Sequence, residues 1–140
     1  MKCAFCDIIQ GAVSAEIVFE DDATIAFLDN RPLFPGHVLL VPREHLETMA
    51  DLSDNLVGPL FANARRIARV LESALGAEGS FVAVNNRVSQ SVPHIHVHIV
   101  PRRKGDGLKG FFWPRHRYLA EEMARVAEQL RAALRESIAK

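Results

Sequence analysis

Apolar and polar positions alternate most regularly along Pro93-His94-Ile95-His96-Val97-His98-Ile99-Val100-Pro101. A period of two belongs to a β-strand, and β-branched residues favour the pleated geometry. The pattern therefore predicts a strand that sends Ile95, Val97 and Ile99 into a core. His94, His96 and His98 then share the opposite face. Proline at either side of the run suits a strand end, where a missing N–H removes no ladder bond. Shorter apolar runs predict strands at Ile17–Glu20, Thr24–Leu28 and residues 37–42, with Asp21-Asp22 turning the first pair into a hairpin. Residues 80–86 read as a fourth strand that exits through Asn85-Asn86-Arg87 and pairs with the histidine strand. Residues 29–36, rich in turn formers, read as a loop.

Between Ser53 and Leu75 the period lengthens. Leu56, Leu60, Ala64, Ile67, Leu71 and Leu75 recur every three or four residues, with Arg65, Arg66, Arg69 and Glu72 largely off that stripe. This predicts an amphipathic helix with Ser53 as N-cap and Gly76 as its stop. Pro59 predicts a kink, or a helix that begins near Gly58. Residues 4–10 read as a short helix ended by Gly11. Leu119, Met123, Val126, Leu130, Leu134 and Ile138 mark a C-terminal helix whose stripe would pack on the sheet or on a second subunit. Five strands, two substantial helices and no βαβ alternation point to an α+β fold with a mainly antiparallel sheet.

Composition narrows the function. A chain of 140 residues fits one domain over 1–140, and 49% hydrophobic residues suffice for a real core. Seventeen basic residues balance seventeen acidic ones, so no global charge draws the chain to nucleic acid or to an anionic membrane. No apolar run approaches the roughly 20 residues that span a bilayer. The start Met-Lys-Cys-Ala-Phe-Cys lacks a signal-peptide pattern, so a cytoplasmic protein is expected. Both cysteines, Cys3 and Cys6, sit in one Cys-x-x-Cys. That pair fits two buried structural cysteines, or half of a tetrahedral zinc site needing two further ligands. His45 is the first candidate for one of them.

The histidine row admits three readings: a solvated histidine-rich face, a His₃ metal site, or an imidazole nucleophile flanked by helpers. Spacing does not separate the last two. His37 follows Pro35-Gly36 at a strand entrance, where a side chain either caps the strand or is aimed into a site. Residues 102–117 carry six Lys or Arg against Asp106 alone, with Gly105, Gly107, Gly110 and the cluster Phe111-Phe112-Trp113-Pro114. They read as a basic surface loop anchored by aromatics, or as a flap that steers phosphate toward the histidines.

The row His94-x-His96-x-His98, with Gln90-Ser91-Val92 ahead and Pro101-Arg102 behind, resembles the histidine-triad (HIT) family of nucleotide hydrolases and transferases. So do Phe27-Leu28-Asp29, Pro35-Gly36-His37-Val38-Leu39-Leu40-Val41-Pro42-Arg43-Glu44-His45, Cys3-x-x-Cys6 and the Asn85-Asn86 strand end. The likeness covers a core of about residues 3–102, leaving a C-terminal loop and helix over 103–140; Gly110 to Arg115 resembles the tails of some bacterial members.

That resemblance implies five-stranded sheets joined across a homodimer. It implies attack by His96 on the α-phosphorus of a purine nucleotide conjugate, an adenosine phosphoramidate or a dinucleoside polyphosphate. A nucleotidyl-histidine intermediate then yields to water. His98 and Gln90 match phosphate contacts, and Ser91 and Asn85 match groups near the phosphate and leaving group. Ser89 joins them among the nucleotide-binding residues. His37 matches a fourth histidine supporting the triad. Asp29 matches the carboxylate on the ribose hydroxyls, with Phe27 and Asn30 beside base and sugar. In zinc-containing members, the matching positions are Cys3, Cys6, His45 and His94, a closed structural shell that takes no part in the chemical step. Many members carry glycine before the glutamine, whereas here Ser89 precedes Gln90 in a shorter segment. Asn86 is therefore the alternative to Asn85, and the leaving-group acid is unassigned. A nucleotidyl transferase or phosphorylase, and a non-catalytic nucleotide-binding protein, are the alternative activities.

Overall fold

A computed structural model describes residues 2–108 and 115–139. They fall into two compact units, one ending at Asp106 and one beginning at Gly107. The first unit holds β1 (Ile17–Glu20), β2 (Thr24–Leu28), β3 (Val38–Pro42), β4 (Gly79–Val84) and β5 (Val97–Arg102). These pair into one sheet in the order β1-β2-β3-β5-β4, and every pairing is antiparallel. The fold is α+β, as the periodicity predicts, and the β4–β5 pairing is the one expected.

Both faces of this sheet are covered, which explains the unbroken burial of β3. On one face Ala26, Val38, Leu40, Val97 and Ile99 pack against Leu60, Ala64, Ile67 and Leu71 of helix α2 (Asp54–Leu75). On the other, Ile25, Phe27, Leu39 and Val41 pack against Cys3 and Phe5 at the short helix α1 (Ala4–Ile9). Because side chains alternate across a strand, Val97 and Ile99 point to α2 and His98 points to the α1 face.

Four expectations are corrected. Helix α2 starts at Asp54 behind its N-cap Ser53, whose carbonyl accepts from Leu56 and Val57, rather than near Gly58, and so contains Pro59. That proline lies on the exposed side, where water can satisfy the carbonyl its ring leaves unpaired. Leu75, read as part of the buried stripe, is 47% exposed at the last position of the helix. Strand β4 spans residues 79–84 rather than 80–86, because the Asn86 side chain leaves the sheet to accept from the Met49 amide at 2.8 Å. The ladder of β5 begins only at Val97; Ile95 donates its N–H to the Leu46 carbonyl at 2.7 Å instead of to a strand.

One buried polar residue interrupts the α2 stripe. Asn63 donates to Asp21 Oδ2 at 2.8 Å and to Thr24 Oγ1 at 3.0 Å, tying the helix to the β1–β2 turn. The second unit contains α3 (Glu122–Ala139), with Leu119 just ahead of it, and its apolar residues Met123, Leu130, Leu134 and Ile138 are exposed. Residues 109–114, which include Gly110 and the Phe111-Phe112-Trp113-Pro114 cluster, lie outside the described residues. Of the basic loop, Arg102 pairs with Asp106 at 2.6 Å, and Arg103 donates to the Leu75 carbonyl.

Candidate active site

His94, His96, His98 and His37 gather on the α1 face of the sheet; main-chain groups decide which nitrogen carries the proton in His94, His96 and His37, and His37 decides it in His98. His94 is fully buried, and its Nε2–H donates to the Pro42 carbonyl at 2.8 Å. Its Nδ1 lone pair therefore faces Cys3 Sγ at 3.5 Å, Cys6 Sγ at 3.6 Å and His45 Nδ1 at 3.2 Å. Cys6 Sγ lies 3.3 Å from His45 Nδ1. A tetrahedral ion bound by sulfur at ~2.3 Å and nitrogen at ~2.0–2.1 Å keeps its ligand atoms roughly 3.3–3.8 Å apart. Two sulfurs and two imidazole nitrogens at those separations fit zinc. The Pro42 carbonyl supplies the outer hydrogen bond that fixes a ligating ring. Burial and the neighbouring Cys3 thiol push the Cys6 thiol above its ordinary pKa, a cost that a bound cation reverses.

His96 is oriented the opposite way. Its Nδ1–H donates to the His94 carbonyl at 2.9 Å, leaving Nε2 as a bare lone pair. The ring is 97% buried, held edge-on by Phe5 at 5.0 Å between centroids and by His98 at 4.9 Å.

His37 and His98 form a relay. The Leu33 amide donates to His37 Nδ1 at 3.1 Å, which puts the His37 proton on Nε2. That proton points to His98 Nδ1 at 3.0 Å, with Asp29 Oδ2 a further 3.7 Å contact. His98 is thereby left with its own proton on Nε2. Asp29, His37 and His98 lie close enough together to resemble a metal cluster. The Leu33 amide argues otherwise, because His37 Nε2 then has no lone pair to offer a cation. Burial lowers the pKa of His37, against the raising effect of Asp29. Burial, with His96 and His37 beside it, pushes His98 down to about 4. Both rings are neutral at pH 7.

A cavity of about 900 Å³ opens beside these rings. Phe5, Ile8, Ala15, Phe27, Leu39 and Val92 give it an apolar lining; Asp29, Asn30, Ser91, His96 and His98 give it polar groups. An apolar slot with a few convergent polar groups is the general form of a small-ligand site. The sequence predicts the short helix α1 but gives it no part in the site, whereas Ala4, Phe5, Asp7 and Ile8 all reach the cavity. The sheet architecture, the row of histidines and this cavity occur together with a match to the HIT domain over residues 10–105. This chain belongs to the HIT family.

Among HIT relatives, an uncharacterized HIT-like protein of Methanocaldococcus jannaschii is 40% identical over 107 residues, 75% of this chain and 82% of its own. An adenosine 5'-monophosphoramidase of Schizosaccharomyces pombe is 31% identical, with 96% of this chain and all of the relative covered. An asymmetrical bis(5'-nucleosyl)-tetraphosphatase of the same yeast is 33% identical over 67% of this chain and 53% of its own. A HIT-family crystal structure from Bacillus subtilis superposes with a TM-score of 0.84 at 34% identity, over 94% of this chain and 96% of that one. A zinc-bound histidine-triad protein from Mycobacterium smegmatis gives 0.74 at 34% identity, over 95% and 98%.

Three of the residues that the HIT resemblance assigns to nucleotide lie elsewhere in this structure. Gln90 accepts from the Arg87 amide through Oε1 and donates to the Glu47 carbonyl through Nε2 at 2.6 Å, away from the cavity. Ser89 and Asn85 are exposed and do not line it. Arg87 and Ser89 both adopt positive φ, at 68° and 61°, where a glycine would be at ease. The three histidines of the row also separate in space. His94 faces the cysteines while His96 and His98 face the cavity, so the three rings do not converge on one metal.

Proposed function

We propose that this protein hydrolyses purine nucleotide conjugates, adenosine phosphoramidates or dinucleoside polyphosphates, at the α-phosphate. The observation that carries the reading is the bare Nε2 of His96, presented at a cavity with an apolar slot. In this reading the base enters between Phe27 and the α1 side chains, and Asp29 with Asn30 receives the ribose. His96 Nε2 attacks the α-phosphorus, forming the P–N bond as the bond to the leaving group breaks. Water then cleaves that P–N bond and releases the monophosphate. Negative charge builds on the non-bridging phosphoryl oxygens in both steps. His98 Nε2–H is the donor aimed at them, and a fixed donor in a water-poor site lowers such a barrier most. Ser91 lies at the leaving-group side. Ser89, Gln90 and Asn85 would join the phosphate site only if the segment of residues 85–91 rearranged around it. The relatives named as a phosphoramidase and a tetraphosphatase support this chemistry.

Cys3, Cys6, His45 and His94 would hold zinc as a closed structural shell with no position for water. The same reading makes the protein a cytoplasmic homodimer whose sheets join edge to edge. The open edge of β4, with Val82 45% exposed, is compatible with that, and sedimentation of the pure protein tests it. Among the described residues, no helix is long and apolar enough to cross a membrane.

His96→Asn tests the activity. Hydrolysis of adenosine phosphoramidate should vanish while AMP binding persists. Unchanged turnover would remove His96 as nucleophile. AMP binding by a wild type that turns over neither substrate class would favour a non-catalytic binder. Release of a nucleoside diphosphate when phosphate is supplied would favour a phosphorylase.

A further inference from the structure

Helix α1 borders both sites, with its cysteines on one side and its cavity residues interleaved between them. Its cysteines reach the cluster with His45 and His94, while Ala4, Phe5, Asp7 and Ile8 line the cavity that holds His96 and His98. The helix is only six residues long, far below the roughly 12–15 residues at which a helix becomes marginally stable by itself. Something outside it must hold it. Cys3 does so twice: its thiol caps the helix by accepting from the Cys6 amide at 3.4 Å, and it also sits 3.5 Å from His94 Nδ1. Phe5 then wedges between the sites. It is 7% exposed and meets His94 at 6.0 Å, His96 at 5.0 Å and Phe27 at 5.4 Å between ring centroids, each edge-on. A displacement of the cysteines therefore displaces a wall of the cavity and the ring that steadies His96.

We infer that metal held by Cys3, Cys6, His45 and His94 sets the affinity of the neighbouring cavity for nucleotide, with α1 as the coupling element. The inference rests on the metal and nucleotide readings above. Coupling between two sites is reciprocal: whatever factor zinc adds to nucleotide affinity, nucleotide must add to zinc affinity. The effect is local because the contacts run through one helix turn and one aromatic ring. It requires no zinc in the chemical step.

The test uses the full chain, zinc and AMP. Calorimetry on zinc-loaded and chelator-stripped protein should give AMP binding about tenfold tighter in the loaded form. A second measurement needs no stable stripped form: transfer of zinc from loaded protein to a coloured chelator should slow about tenfold at saturating AMP. Phe5→Ala should still load zinc, but AMP should no longer slow its release. Equal AMP affinity in both forms, or zinc release indifferent to AMP, overturns the coupling and leaves the nucleotide reading intact. AMP bound by neither form overturns the nucleotide reading and the coupling together. Failure of the wild type to take up zinc overturns the metal reading and with it the coupling.

Discussion

Three of the four site histidines are set by a main-chain group, the Pro42 carbonyl for His94, the His94 carbonyl for His96 and the Leu33 amide for His37, and the fourth, His98, is set by the His37 side chain. In the proposed reading the same residue type thus supplies a ligand, a nucleophile and a donor. Removing the relay should cost activity through the tautomer. In His37→Ala, His98 loses the hydrogen-bond donor to its Nδ1, and nitrogen NMR should show its proton shared between Nδ1 and Nε2. Loss of one fixed donor to a phosphoryl oxygen is worth up to about 10²-fold in kcat. A rate drop with His98 still protonated only on Nε2 would assign His37 to packing alone. The same burial predicts acid sensitivity. His37 and His98 resist protonation in the folded chain, His98 down to about 4, while an unfolded histidine protonates near ~6.5. As pH falls from about 6.5 toward 4, the unfolded state binds protons that the native state refuses, so stability declines across that window. The urea midpoint should be lower at pH 5 than at pH 7; an equal midpoint contradicts the shifts. The period-two row exposes His94, His96 and His98 in the sequence, but not their tautomers. Those depend on a carbonyl 52 residues away, at Pro42, and on loop amides that carry no pattern.

At the scale of elements, the loop between β2 and β3 aims His37. Gly36 in that loop has a φ of +99°, and a Cβ there would lie 2.5 Å from Leu75 Cδ1 and 3.3 Å from Pro101 Cγ. Gly36→Ala combines backbone strain with a clash and should cost about 1–3 kcal/mol, read by chemical denaturation. A neutral result would mean that the loop shifts freely. Asn63 predicts a similar loss for another reason. Its replacement by alanine leaves the Asp21–Thr24 turn without its helix-borne donor, at about 1–3 kcal/mol. The α2 stripe was legible because burial follows its period, and Asn63 was hidden in it as an ordinary polar residue. The end of β4 and the start of β5 were misread for one reason. Residues near them find side-chain or loop partners, such as Met49 for Asn86 and Leu46 for Ile95, which no alternation encodes.

At the scale of the molecule, one sheet separates two tasks: α2 covers one face as support, and α1 with the histidines builds the site on the other. In the proposed zinc shell the two Cys-x-x-Cys thiols would fasten the first residues of the described chain to the histidine row, where both already lie near His94. Elemental analysis should find about one zinc per chain, lost in Cys3→Ser together with part of the thermal stability. Metal-free protein of undiminished stability would contradict the shell. The HIT resemblance of the motifs and the α+β class were readable from residues 3–102. The role of α1 as a cavity wall was not, since only folding brings Phe5 onto His96.

The most direct measurement is mass spectrometry of protein quenched during turnover of adenosine phosphoramidate, followed by peptide mapping. An acid-labile adenylyl group on His96, absent from His96→Asn, is the predicted result. Steady turnover with the group on another residue, or with no adduct at all under rapid quench, would contradict the account.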